Sequence, residues 1–232
     1  MMLAAKSVSV RLRKWNSPDD RWHWALQDIN LQFHEGDRVG VVGRNGSGKT
    51  TLCRVLAGIL SPAKGSVVRE GRVVPLLGFG AALQPELSGK QNARLLARLL
   101  GASSEEVPRI LEDVGRQTEL GNWLNEPVVH YSTGMRARLA FVVATSISAD
   151  VLLVDEALGA GDITFRKRAM KRLTTFMEEA KVLIMVSHQL HELRKQCNRV
   201  IWLEDGMVRQ EGEAECILEQ YQEHMNQNRV KQ

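Results

Sequence analysis

The sequence predicts an α/β fold: a core built on a mixed sheet, with a helical subdomain inserted into it. Three observations carry this reading. Short aliphatic runs alternate with helical stretches in both terminal parts of the chain. One of those runs opens directly into a glycine-rich loop and then a helix. Between about Gly89 and Ile147 the strand texture gives way to helical spacing alone.

In order, Val8, Val10 and Leu12 alternate with polar residues, as do Ile29, Leu31 and Phe33, so both stretches read as half-buried strands. Trp22 and Trp24 fall in the loop expected after the first strand. Arg38 to Val42 is a short apolar strand, followed by the loop Gly43 to Gly48 and a helix from Lys49 to Ala57 that stops at Gly58. Turns at Ser61-Pro62 and Lys64-Gly65 precede short strands around Val67 and Val73. In the helical stretch, Leu95, Leu96, Leu99 and Leu100 mark one apolar stripe, and Ile110, Leu111 and Val114 another. Ser103 or Ser104 can cap the second of these helices, with Glu105 and Glu106 at its positive end. Val151–Val154 and Val182–Val186 are buried strands, the latter followed by a helix from Leu190 to Cys197. Val200–Leu203 and Met207–Arg209 form a hairpin turned at Glu204-Asp205-Gly206, and a short helix from about Glu213 to His224 leads into a polar tail. The expected domains are 1–83 with 149–225 as the core, 84–148 as the helical subdomain, and 226–232 as tail.

The 232 residues are 44% hydrophobic and 25% charged, with 31 basic and 27 acidic side chains and a net charge of +4. This is ordinary globular composition and excludes collagen-like, coiled-coil and disordered classes. The longest apolar stretch, Leu139 to Ile147, already holds a Thr and a Ser. A bilayer span needs roughly 20 apolar residues, so no membrane crossing is expected. Cys53, Cys197 and Cys216 are too scattered for a metal pair or a disulfide framework. The basic cluster Arg166, Lys167, Arg168, Lys171 and Arg172 reads as the solvated face of a helix, and no nucleic-acid partner is expected.

Gly43-Arg44-Asn45-Gly46-Ser47-Gly48-Lys49-Thr50, with Thr51 next, satisfies the phosphate-loop pattern in the right strand-to-helix setting. Its glycines let successive N–H groups turn inward at a helix N-terminus, where phosphate is favoured. Lys49 reaches the β- and γ-phosphates, and the Thr50 hydroxyl binds Mg²⁺. The ligand is therefore a nucleoside triphosphate, and the core is of the P-loop NTPase type. Asp155-Glu156 places two carboxylates at the end of a buried strand, where α/β sheets bind ligands. Asp155 suits Mg²⁺ held through water, and Glu156 suits the base that orients the attacking water.

Tyr131-Ser132-Thr133-Gly134-Met135-Arg136-Ala137-Arg138-Leu139, just before that strand, resembles the signature segment of ATP-binding-cassette ATPases. The resemblance covers about residues 7 to 221. It implies the cassette fold and ATP as ligand. Ser132, Thr133 and Gly134 then hold the γ-phosphate of ATP bound by a second copy, Asp162 is the acidic residue of the D-loop, and His188 is the switch histidine. Trp15 stacks on adenine in this reading, with Trp22 or Trp24 as substitutes. The segments Gly78 to Gly89, Tyr131 with Met135, and Asp155 to Asp162 are similar to the ATPase subunits of polysaccharide exporters of capsule, O-antigen and teichoic acid type. That implies a homodimer on the cytoplasmic face of the inner membrane, working with a separate transmembrane permease, itself in two copies. Cassette ATPases usually open the helical lobe with a glutamine; none stands near Phe79, and Gln84 fills the role only with a shifted loop. Rival readings are an exporter of lipid, protein or drug, a soluble cassette acting on nucleic acid or ribosomes, and a regulatory module that binds nucleotide without hydrolysing it.

Overall fold

The computed structural model describes residues 1–13, 22–77, 82–155 and 163–230. Trp15, Glu156, Asp162 and the segment 78–81 lie outside the described residues. Two compact units emerge: the described residues of Met1–Gly71, Leu153–Glu156 and Lys181–Gln232, and those of Arg72–Leu152 and Ala157–Ala180.

In the first unit, β1 (Leu3–Arg13), β2 (Trp22–Phe33) and β4 (Lys64–Arg69) make an antiparallel sheet in the order β2-β1-β4. Alternation buries Val8, Val10, Ile29, Leu31 and Phe33 on one face. Trp22 and Trp24 belong to β2, not to a loop. Three register shifts interrupt the β1–β2 ladder, one of them between the pairs Val10↔Leu26 and Arg11↔Trp24, which leaves Ala25 as an extra residue. That bulge lets both Ala25 and Leu26 turn inward, 6% and 0% exposed, and sends Trp24 outward.

A second sheet places β7 (Val182–Val186), β3 (Arg38–Val42), β8 (Arg199–Glu204) and β9 (Met207–Glu213) side by side. β3 runs parallel to both β7 and β8, while β9 returns antiparallel through a turn with positive φ at Asp205 and Gly206. The sheet is therefore mixed, and Asp-Gly is the pair such a two-residue hairpin demands. Helix α1 (Lys49–Leu56) ends before Gly58, whose φ of +80° no β-carbon tolerates well. The last helix, α7 (Ala214–Val230), continues past His224, because nothing from Met225 to Arg229 breaks a helix.

The second unit holds β5 (Val73–Leu76), α2 (Gly89–Leu99), α3 (Glu106–Gln117), α4 (Thr133–Thr145) and α5 (Ile163–Glu179). The expected leucine stripe is not the buried face of α2. Leu99 is 66% exposed, and the helix packs instead through Asn92, Ala93 and Ala97, small enough to let its neighbours approach. Gly89 is obligatory for the same reason: a β-carbon there would fall on the Tyr131 hydroxyl. The cluster on α5 is not merely solvated, since Arg168 pairs with Glu119, and Arg172 reaches Asp113, Thr145 and Ser146.

Arg72 ties this unit together. Its backbone N–H donates to Asp150 at 2.8 Å, and its guanidinium forks onto both Glu106 carboxylate oxygens at 2.9 and 3.0 Å. Ser103 and Glu106 complete a reciprocal capping box at the start of α3. The Arg72 bonds, then the Ser103 N–H, hold the Glu106 carboxyl at about 2 instead of 4.5. A depressed carboxyl stabilises the fold above its unfolded value, and that contribution disappears as pH falls from 4.5 towards 2. Arg72→Gln is expected to cost about 1 kcal/mol at neutral pH, because the pair is partly exposed. In denaturant melts the wild-type and variant curves converge as the pH is lowered through that window; a constant gap at all pH values contradicts the assignment.

Candidate nucleotide site

The phosphate loop is shaped by its glycines. Gly43, Gly46 and Gly48 have φ of +153°, +83° and +102°. At Gly48 a β-carbon would also lie 2.6 Å from the Ala25 carbonyl and 2.8 Å from Leu26, so the loop presses directly on β2. The turn of the β8–β9 hairpin closes the other side: the Gly206 N–H donates to the Ser47 carbonyl at 3.2 Å, and the Gly206 carbonyl accepts from Gln27 at 2.8 Å. Arg44, Asn45 and Gly46 are left exposed, and Thr50 stands exposed in the first turn of α1 with Thr51 half-buried behind it.

Lys49 is 8% exposed, and its ammonium donates to the carbonyls of Gly43 at 2.7 Å and Arg44 at 2.9 Å. The cation thus lies along the inside of the loop. Ser47 is 4% exposed, and its hydroxyl, buried in the same turn, has no hydrogen-bond partner among the described residues. An orphaned buried hydroxyl beside a lysine and a helix N-terminus fits a phosphate ligand.

Asp155 closes β6 (Val151–Asp155), four buried aliphatics ahead of a half-buried carboxylate. It lies near α1. The Cys53 thiol inside that helix is pushed up to about 12, by burial first and then by the Asp155 charge. His188 follows β7, whose Val186 pairs with Val41 of β3, so Gly43 and His188 emerge at the same end of parallel strands. Both line a cavity of about 340 Å³ whose far wall is Tyr221, Gln222, Met225 and Asn226 of α7. Lys49, Thr50, Asp155 and His188 all belong to the first unit.

Ser132, Thr133 and Gly134 are in the second unit. Ser132 caps α4, its hydroxyl accepting the Met135 N–H at 3.2 Å. A β-carbon on Gly134 would meet only the Ser132 hydroxyl, at 3.9 Å, and Ser132, Gly134, Met135 and Arg138 line a cavity of about 460 Å³. An uncovered helix N-terminus of this kind favours an anion. Tyr131 is a prop: its hydroxyl donates to the Trp123 carbonyl.

Gln84 is exposed, and its side chain meets no partner among the described residues. Its backbone is clamped by Asn92, whose amide donates to the Gln84 carbonyl at 2.9 Å and whose carbonyl oxygen accepts the Gln84 N–H at 2.7 Å. Asn92 is 1% exposed and also bonds Leu87 and Ser88. Sequence reading passed over it; the only signal is one polar residue on the buried face of α2. The phosphate loop packs on the Ala25–Leu26 side of β2, whereas Trp22 and Trp24 project from the opposite face.

Residues 26–159 match the family described as ABC transporter. The chain is 38% identical over 205 residues to the O-antigen export system ATP-binding protein RfbB of Klebsiella pneumoniae, covering 88% of this chain and 83% of that one. It is 34% identical over 200 residues to the teichoic acids export ATP-binding protein TagH of Listeria innocua, and 37% over 199 residues to RfbB of Myxococcus xanthus. Each match covers 86% of this chain, which spans only 59% and 46% of those two longer relatives. The fold is similar to that of the ATP-binding cassette MJ0796, solved as a post-hydrolysis dimer with ADP and Pi. The TM-score is 0.69 at 22% identity, covering 92% of this chain and 99% of that one. The glycine-shaped phosphate loop, the acidic strand end and these matches together make the chain an ATP-hydrolysing cassette of the ABC transporter family.

Proposed function

We propose that this chain energises export of a polysaccharide or lipid-linked glycan through a separate transmembrane subunit. The observation that carries the reading is its kinship, at 33–38% identity over most of its length, with ATP-binding proteins of O-antigen and teichoic acid export. Two copies sandwich two ATP molecules at the cytoplasmic face of the inner membrane. Each copy binds one nucleotide through residues 43–51 and completes the other's site with Ser132, Thr133 and Gly134, while Asp162 is the acid of the D-loop. Lys49 neutralises charge growing on the transferred phosphoryl group, and His188 steadies the γ-phosphate. Glu156 takes the proton of the attacking water. The Thr50 hydroxyl and, through water, Asp155 would hold Mg²⁺, which supplies charge neutralisation between the phosphates. The surface around residues 76 to 100, where Leu99 stands exposed beside half-buried Leu95, Leu96 and Leu100, receives the permease.

Deleting the protein in its host is expected to strip the surface glycan while lipid-linked glycan accumulates inside. An intact surface coat with a lost lipid or drug export phenotype would point to the rival cargo. Adenine stacking falls to Trp15. Trp15→Ala is expected to weaken ATP binding about tenfold, the worth of one stacked ring, while Trp24→Ala leaves it unchanged. Titration with ATP separates the two, and the reverse order would refute the assignment.

A further inference from the structure

Two of the largest apolar side chains in the chain stand side by side in solvent. Trp22 is 47% exposed and Trp24 37%. They are two residues apart on β2, so they share one face, and the Ala25 bulge turns that face away from the phosphate loop. The neighbouring strands contribute cations to the same face. Arg11 pairs with Trp24 and Arg13 with Trp22 across the β1–β2 ladder. The Arg11 guanidinium sits 4.6 Å from the centroid of Trp22, and the Lys64 ammonium, from β4, 5.7 Å from Trp24. Among the described residues none of these three cations has an acidic partner. Asp28, the one acid on β2, is taken up by the Asn30 amide at 3.1 Å.

Exposed indoles cost solvation unless something covers them, and single-sign charge beside them sets the sign of what does. An indole is amphipathic, apolar in its ring and a donor at its N–H, and it settles where hydrocarbon meets water. Cations stacked on the rings keep their outer N–H groups free for phosphate. A sheet face is broad and open, matched to a surface more than to a small solute. We propose that the outward face of β1, β2 and β4, through Arg11, Arg13, Trp22, Trp24 and Lys64, rests on the anionic phospholipid surface. The cassette then has a lipid contact of its own, in addition to any made through a permease.

The contact is testable on the isolated chain, with no permease and no nucleotide, so its outcome is independent of the transport reading. The protein is sedimented with vesicles of phosphatidylcholine mixed with phosphatidylglycerol, and with phosphatidylcholine alone, at low and high salt. Binding is expected only to the anionic vesicles and is weakened by salt. Each cation near such a surface is worth about fivefold in affinity, so Arg11→Gln with Arg13→Gln is expected to lose a factor of roughly twenty-five. Trp22→Ala with Trp24→Ala abolishes both the remaining binding and the blue shift of tryptophan emission on adding vesicles. Because all four side chains are exposed, circular dichroism and basal ATP hydrolysis stay at wild-type values in both variants. The proposal is overturned if the wild type stays in solution with anionic vesicles at low salt, or if both variants sediment as it does. It is equally overturned if a soluble anionic polysaccharide competes fully for these residues, which would make the face a glycan contact.

Discussion

Lys49→Ala is expected to lower ATP hydrolysis by about a hundredfold or more and to weaken ATP binding as well, since one preorganised donor to transition-state charge is worth that much. The Lys49 ammonium is buried, and it bridges two loop carbonyls, those of Gly43 and Arg44, from the first turn of α1. It is therefore already desolvated and aimed along the phosphate path, so little reorganisation accompanies its transfer to a phosphate oxygen. Removing it leaves two carbonyls facing inward, which repel phosphate in place of the lost attraction. Arginine does not repair the defect, because a planar fork cannot follow the inside of so tight a loop. Phosphate release and ATP titration measure the two effects separately. Wild-type turnover in Lys49→Ala would remove the loop from the chemistry.

Glu156→Gln is expected to behave differently: hydrolysis falls by about 10²- to 10⁴-fold while ATP binding stays near wild type. The amide keeps the size of the carboxylate but cannot take the proton of the attacking water. Because ATP still binds and is no longer consumed, the variant is expected to accumulate as an ATP-bound dimer, visible by size-exclusion chromatography. Asp155, the residue before it, gives the contrast. Asp155→Asn is expected instead to impair metal-dependent nucleotide binding, so that the two neighbours separate into a binding defect and a turnover defect. Hydrolysis at the normal rate in Glu156→Gln would place the base elsewhere.

The parts of the molecule legible in the sequence are those in which backbone geometry demands particular residues. Gly43, Gly46 and Gly48 announce the phosphate loop because their positive φ values exclude most other residues, and Asp205-Gly206 announces a hairpin for the same reason. Four aliphatics before Asp155 announce a buried strand end. What escaped is set by packing partners. Leucines on α2 look like a core stripe, yet the helix needs small residues where its neighbours press closest, so Ala93 and Ala97 go inside and Leu99 remains out. The bulge at Ala25 leaves no mark in composition, and one extra residue decides which way two tryptophans point. Asn92 is invisible for a related reason: a buried amide is stable only because a turn eight residues upstream offers its backbone to it.

The hairpin turn that closes over the phosphate loop has a consequence for how the protein is made. Ser47 and Gln27 wait for Gly206, far downstream of both, before these backbone bonds can form. On a ribosome the complete phosphate motif is therefore exposed long before it has its receptor shape, since the segment that braces it emerges well over a hundred residues later. The nascent chain carries the letters of a nucleotide site without the site. Nucleotide enters as a late ligand, and by binding only the finished cassette it favours the completed fold over its precursors.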